Sequence, residues 1–101
     1  MIHVIATIEV IAGRRNDFLS AFHQLMPKVH AEQGCVEYGP TVDVSTEIAK
    51  DPPRQDIVVV VEKWASLAAL KSHLSASHMA DFRQANGHLI KGISIQVTEP
   101  A

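Results

Sequence analysis

The chain has 101 residues, of which 47% are hydrophobic and 20% charged; this supports one core, is too short for two, and is too apolar for a disordered chain. Nine basic residues against eleven acidic ones leave a formal net charge of −2, so there is no basic footprint for nucleic acid or an anionic membrane. The expectation is a single domain over residues 1–101, soluble and cytoplasmic.

The opening stretch MIHVIATIEVIAG has no basic leader and alternates in polarity, which makes it a strand rather than a signal peptide. Over residues 2–12 it places Ile2, Val4, Ala6, Ile8 and Val10 on one face and a half-apolar set, including Ile5 and Ile11, on the other. Gly13 ends it. From about Arg15 to Glu32, Phe18, Phe22, Leu25, Met26 and Val29 fall on one helical stripe. Pro27 is expected to kink or split that helix near its middle, and Gly34 to end it.

Residues Cys35 to Val44 alternate, with Val36, Tyr38, Val42 and Val44 on one side, and Gly39-Pro40 implies an edge strand or a bulge. Cys35 is the only cysteine, so no internal disulfide can form. With no Lys, Arg or His adjoining it, it is a small half-buried hydrophobe in a reducing compartment. Residues 45–55 contain Pro52-Pro53 and no periodicity, and form either a lid or a mobile hairpin tip.

The strand Asp56 to Trp64 is the most apolar and should be central, with Ile57, Val59 and Val61 opposite Val58, Val60 and Trp64. Its aliphatic run is far too short to span a membrane. Ser66 is a candidate N-cap for a helix of about 67–74, and Ser77 for a second of about 78–86. Residues 91–98 alternate as a last strand. The order β-α-β-β-α-β is that of an α+β, ferredoxin-like domain, with an antiparallel sheet covered by helices on one face. The first and third strands are apolar on both faces, so a homodimer stacked sheet to sheet is expected to cover the other one.

Chemistry-bearing residues gather between Glu62 and Phe82. Glu62 and Trp64 are two apart on a strand and share a face. As ordinary structural residues, Glu62 would pair with a basic side chain and Trp64 would be a core aromatic whose N–H finds a backbone carbonyl. His73 and His78 would lie about 140° apart on an unbroken helix, and converge only if it breaks at Ser75-Ala76-Ser77. Zinc is not favoured: HExxH spacing is absent and no third ligand lies near in sequence. No phosphate-binding loop or nucleophile elbow is present.

Gly34-Cys35, Tyr38, Pro40, Val42-Asp43, Glu62, Trp64, Leu70, His73-Leu74 and His78-Met79 together resemble the antibiotic biosynthesis monooxygenase family, in particular its small bacterial quinol monooxygenases. The resemblance covers essentially the whole chain. It implies a dimeric α+β barrel that oxygenates a quinol or polycyclic phenol with O2, without metal, haem or flavin. O2 reacts poorly with a neutral phenol, so the substrate must become a phenolate. Phenols ionise near pH 10 and imidazole near 6.5, so transfer to histidine is uphill by roughly 5 kcal/mol, and donors in a dry pocket must stabilise the oxyanion. On this reading His73 is the base and His78 the second choice, Trp64 and Tyr38 are the donors, and Glu62, Met79 and Phe82 contact substrate. Haem-degrading relatives use an asparagine on the first strand, where this chain has Thr7. An isomerase or degradation enzyme for a small sugar-derived signal, and a non-catalytic dimer binding a small aromatic ligand, stand as alternatives.

Overall fold

Alternation in the first strand becomes β1 (Ile2–Val10) in the computed structural model, which describes residues 1–101. The chain continues through α1 (Arg15–His30), β2 (Cys35–Thr41), β3 (Ile57–Trp64), α2 (Leu67–Leu74) and α3 (Ser77–Asn86). A 3-10 turn (Gly87–Leu89) then leads into β4 (Ile90–Thr98). All pairings are antiparallel and the strand order is β2-β3-β1-β4, the ferredoxin-like α+β arrangement expected from the element order.

The period-2 pattern decides which side chains are inside. Val4, Ala6, Ile8 and Val10 of β1 are buried with Val58, Val60, Glu62 and Trp64 of β3, because directly paired residues of antiparallel strands leave the sheet on the same side. Phe18, Phe22, Leu25 and Val29 of α1 close over them. Each fully buried Val, Leu, Ile or Phe among them contributes about 1.5–3 kcal/mol by leaving water.

Pro27 does not split α1, which runs unbroken to His30. The amide it lacks would have bonded the His23 carbonyl one turn earlier, and both residues are exposed, so water satisfies the orphaned oxygen. The irregularity in β2 falls at Val36, between Cys35 and Glu37, and not at Gly39-Pro40. That bulge turns Val36 out, 54% exposed, while Tyr38 points in. Pro40 is tolerated because β2 is an edge strand, as expected.

Residues 42–56 form the tip of the β2-β3 hairpin. Asp43 clips its base, accepting two hydrogen bonds from the Arg54 guanidinium (2.8 and 3.0 Å) and one from its backbone amide (2.9 Å). Those bonds hold the Asp43 carboxyl well below the usual range. None of these residues lines the internal cavity described below, so within one chain the loop is a hairpin tip and not its lid.

Ser66 caps α2 as its position predicts, its Oγ accepting from the Ala69 amide at 3.1 Å. Ser77 does not cap α3: it is the first helical residue, and Ala76 takes the N-cap place with extended backbone (φ −65°, ψ 143°). Ser75 ends α2, its hydroxyl donating back to the Ser72 carbonyl at 3.1 Å. The break anticipated at 75–77 is therefore real. The helices leave β4 uncovered: Ile93, Ile95 and Val97, paired with Ile8, Ala6 and Val4 on the helical side, are 50–55% exposed.

Candidate active site

Register brings the first part of the site together. Glu62 pairs with Tyr38 across β2-β3, so both project to the helical side along with Trp64. All three are buried. The Trp64 Nε1–H donates to Glu62 Oε1 at 2.9 Å, because residues two apart on one strand face lie within reach of each other's long side chains. Trp64 is thus not the free donor to substrate expected of it, and its N–H finds a carboxylate rather than a backbone carbonyl. Its ring lies against His73, with centroids 4.6 Å apart and planes tilted by 35°, which fixes the imidazole.

The second part depends on the helix break. With α2 ending at Leu74 and α3 starting at Ser77, His73 and His78 converge on Glu32, in the turn that follows α1. His73 Nδ1 lies 2.9 Å from Glu32 Oε2, and His78 Nε2 lies 2.7 Å from the same oxygen. An ionised carboxylate only accepts, so both nitrogens carry hydrogen and donate. In the neutral ring the His73 lone pair is therefore on Nε2. The turn carrying Glu32 is tied to the end of β3 by the Ala65 amide, which donates to the Gly34 carbonyl at 2.8 Å.

Sequence reading missed Glu32, which stands 41 residues before His73; its only local sign is a charged residue directly ahead of the Gly34 turn. His73 is 2% exposed, Glu32 14% and His78 21%, so the three form a path running outward from the core.

His73, Tyr38 and Glu62 line an apolar cavity of about 130 Å³ between sheet and helices. Thirteen of its sixteen lining residues are hydrophobic, among them Phe22, Met79 and Phe82. Met79 and Phe82, named as substrate contacts from the sequence, both lie in this wall. His78 is not part of the wall; Glu32 stands between it and His73, bonded to both. Arg83, which sequence reading also missed, reaches the wall from α3 and pairs with no carboxylate. The open side is β4, where Ile93 and Ile95 are half exposed.

Tyr38 stacks on Phe22 at 5.3 Å and meets the His73 ring edge-on at 5.3 Å. Burial, and then the neighbouring Glu62 and Glu32, raise its hydroxyl above the usual phenol value, so at neutral pH it remains an O–H donor. The Cys35 thiol is pushed up likewise, by burial and then by Glu32 and Glu62, as suits a non-reactive cysteine.

Burial also raises the Glu62 carboxyl; the Trp64 hydrogen bond and His73 oppose this, and Glu32 adds to it. A group whose folded value lies above its unfolded one stabilises fully below the unfolded value, and that stability is lost as pH rises through the folded value. Glu62→Gln cannot ionise and keeps an oxygen for Trp64. Its melting temperature relative to the parent protein is therefore expected to climb as pH is raised from below the ordinary carboxyl range to neutrality. A difference that stays flat across that range would show that Glu62 ionises normally.

An α+β domain with a mostly apolar cavity and a carboxylate-held histidine in its wall is the class that fold and site define. The chain belongs to the antibiotic biosynthesis monooxygenase family, whose signature its residues 1–85 match. It is 31% identical over 102 residues to a protein of Escherichia coli (strain K12) named probable quinol monooxygenase YgiN, covering 99% of this chain and 98% of that one. Its fold is similar to the crystal structure of PA3566 from Pseudomonas aeruginosa, with TM-score 0.80 at 23% identity over 99% of this chain and 93% of that one. Rv0793 from Mycobacterium tuberculosis is similar as well, with TM-score 0.76 at 22% identity over 99% and 94%.

Proposed function

We propose that the chain is a cofactor-independent monooxygenase that oxidises a quinol or polycyclic phenol with O2. The observation that carries this reading is the His73 imidazole, oriented by Glu32 so that its basic Nε2 is left for the apolar cavity. His73 takes the phenolic proton. The Tyr38 O–H and the Arg83 guanidinium, in place of the engaged Trp64 N–H, stabilise the phenolate and offset part of the roughly 5 kcal/mol by which that transfer is uphill. Phe22, Met79 and Phe82 hold the ring. One oxygen atom of O2 enters the substrate and the other leaves as water; the quinol supplies all four electrons on its way to a hydroxyquinone, so no external reductant is required. The apolar wall supports an aromatic substrate over a phosphorylated sugar, which would find only the Arg83 cation there.

The test is oxygen uptake with a reduced naphthoquinone and metal-stripped protein, using labelled O2 to follow one atom into the product. Uptake no faster than autoxidation would overturn the reading, and tight binding of the quinol without turnover would favour a binding protein. The reading includes a homodimer. Its support is the sheet face away from the helices, where Ile5, Val59 and Val61 are only half buried in the single chain. Sedimentation at micromolar concentration is expected to give twice the mass of one chain; a species of one chain's mass alone would overturn it.

A further inference from the structure

We propose that Glu32, His73 and His78 form a binding site for a borderline divalent transition-metal ion of the zinc(II) class, and that filling this site switches off His73 as a base. The second half rests on the function proposed above; the first does not. One carboxylate oxygen and the two ring nitrogens all lie within 4.8 Å of one another. They come from three separate segments: the turn after α1, the end of α2 and the start of α3. In a tetrahedral zinc site, with metal–ligand bonds near 2.1 Å, neighbouring donors stand about 3.4 Å apart. The present separations from Glu32 Oε2 are 2.9 and 2.7 Å, so coordination requires each histidine nitrogen to part from that oxygen by roughly 0.5–0.7 Å.

His73 is held in place by Trp64, and the adjustment falls to Glu32 and His78, which are partly exposed. Two imidazoles and one carboxylate suit zinc-like ions, whereas Mg²⁺ and Ca²⁺ prefer an all-oxygen shell. Three protein ligands leave a coordination position open. An approach exists too: Glu32 also borders an outer groove that includes Gln33, Ser72 and Ala76.

The link to the cavity is the tautomer. His73 now carries its hydrogen on Nδ1, donated to Glu32. An ion on Nδ1 needs the lone pair there, so the ring hydrogen moves to Nε2 and the lone pair available to the cavity disappears. The ring stays where it is and loses its ability to accept a proton from substrate.

The experiment is calorimetric titration of the metal-stripped full chain with zinc chloride, repeated for Glu32→Gln, His78→Ala and, as a surface control, His23→Ala. Expected is one ion per chain, weakened at least about tenfold by Glu32→Gln and by His78→Ala, since even outer partners of metal ligands cost 10–100-fold. The control is expected to bind as the parent does. A folded parent protein that binds no zinc, or zinc binding that survives both site substitutions, overturns the site. Circular dichroism confirms the fold, and the partly exposed His78 position supplies the test if Glu32→Gln does not fold. Zinc bound at this site that leaves quinol oxidation untouched supports the site and overturns the switch. Zinc binding in a protein with no quinol oxidation at all supports the site while the proposed function falls.

Discussion

Replacing His73 by alanine is expected to lower kcat for quinol oxidation by about 10²–10⁴-fold, the usual worth of a positioned general base, with a much smaller change in KM. The two parameters separate because the apolar wall that holds the ring is untouched, while the group that removes its proton is gone. The substitution also empties a buried position between Trp64 and Tyr38, at a stability cost of about 2–5 kcal/mol by analogy with other large-to-alanine changes in cores. Rate and unfolding must therefore be measured together. Added imidazole is expected to restore part of the rate, because it can occupy the vacated space and accept the proton; a role confined to packing would not give that recovery. A folded His73→Ala protein with full turnover would remove the base assignment and leave the fold intact.

Gly34→Ala is expected to be the most damaging single-methyl change, at about 2–5 kcal/mol from combined backbone strain and overpacking. Gly34 has φ +85°, and a Cβ placed on it would stand 2.6 Å from the Ala69 Cβ in α2. Neither group is the movable end of a long side chain, so the turn and α2 must separate. Gly13→Ala is the internal comparison. It too has positive φ (+78°), but nothing lies within 4 Å of its added Cβ, so it carries only the strain, about 1–2 kcal/mol. The difference between the two in urea unfolding isolates the clash. Equal losses would show that α2 is not pressed against the Gly34 turn. Because that turn carries Glu32, Gly34→Ala is expected to disturb the histidine pair as well.

Local chemistry in the sequence was enough for the element order. The period-2 runs of β1 and β3, the 3.6-period stripe of α1, the Ser66 cap and the serine-rich break before His78 each act within a few residues, and each is found where its pattern placed it. The misses have the same root. For Pro27, sequence shows the missing amide but not that the orphaned carbonyl belongs to an exposed residue, His23. Composition points to Gly39-Pro40 for the β2 irregularity, because the bulge at Val36 leaves no compositional mark. Ser77 suits an N-cap by residue type, but the backbone turns into the helix at Ala76, one position earlier.

The site was legible only in part. That Glu62 and Trp64 share a face follows from strand geometry, and the convergence of His73 with His78 follows once the helix breaks. What they bind to does not. Glu32 reaches the histidines across 41 and 46 residues of chain, through the docking of the turn after α1 against the start of α2, and Glu62 captures the Trp64 N–H where both are shut away from water. By itself the sequence determined the strands, the helices, their order and a short set of polar candidates, since those depend on neighbours a few residues away. The tertiary structure alone decided which polar groups meet, which way His73 directs its lone pair and which face of β4 stays open. Those outcomes depend on contacts between distant segments, which no local period encodes.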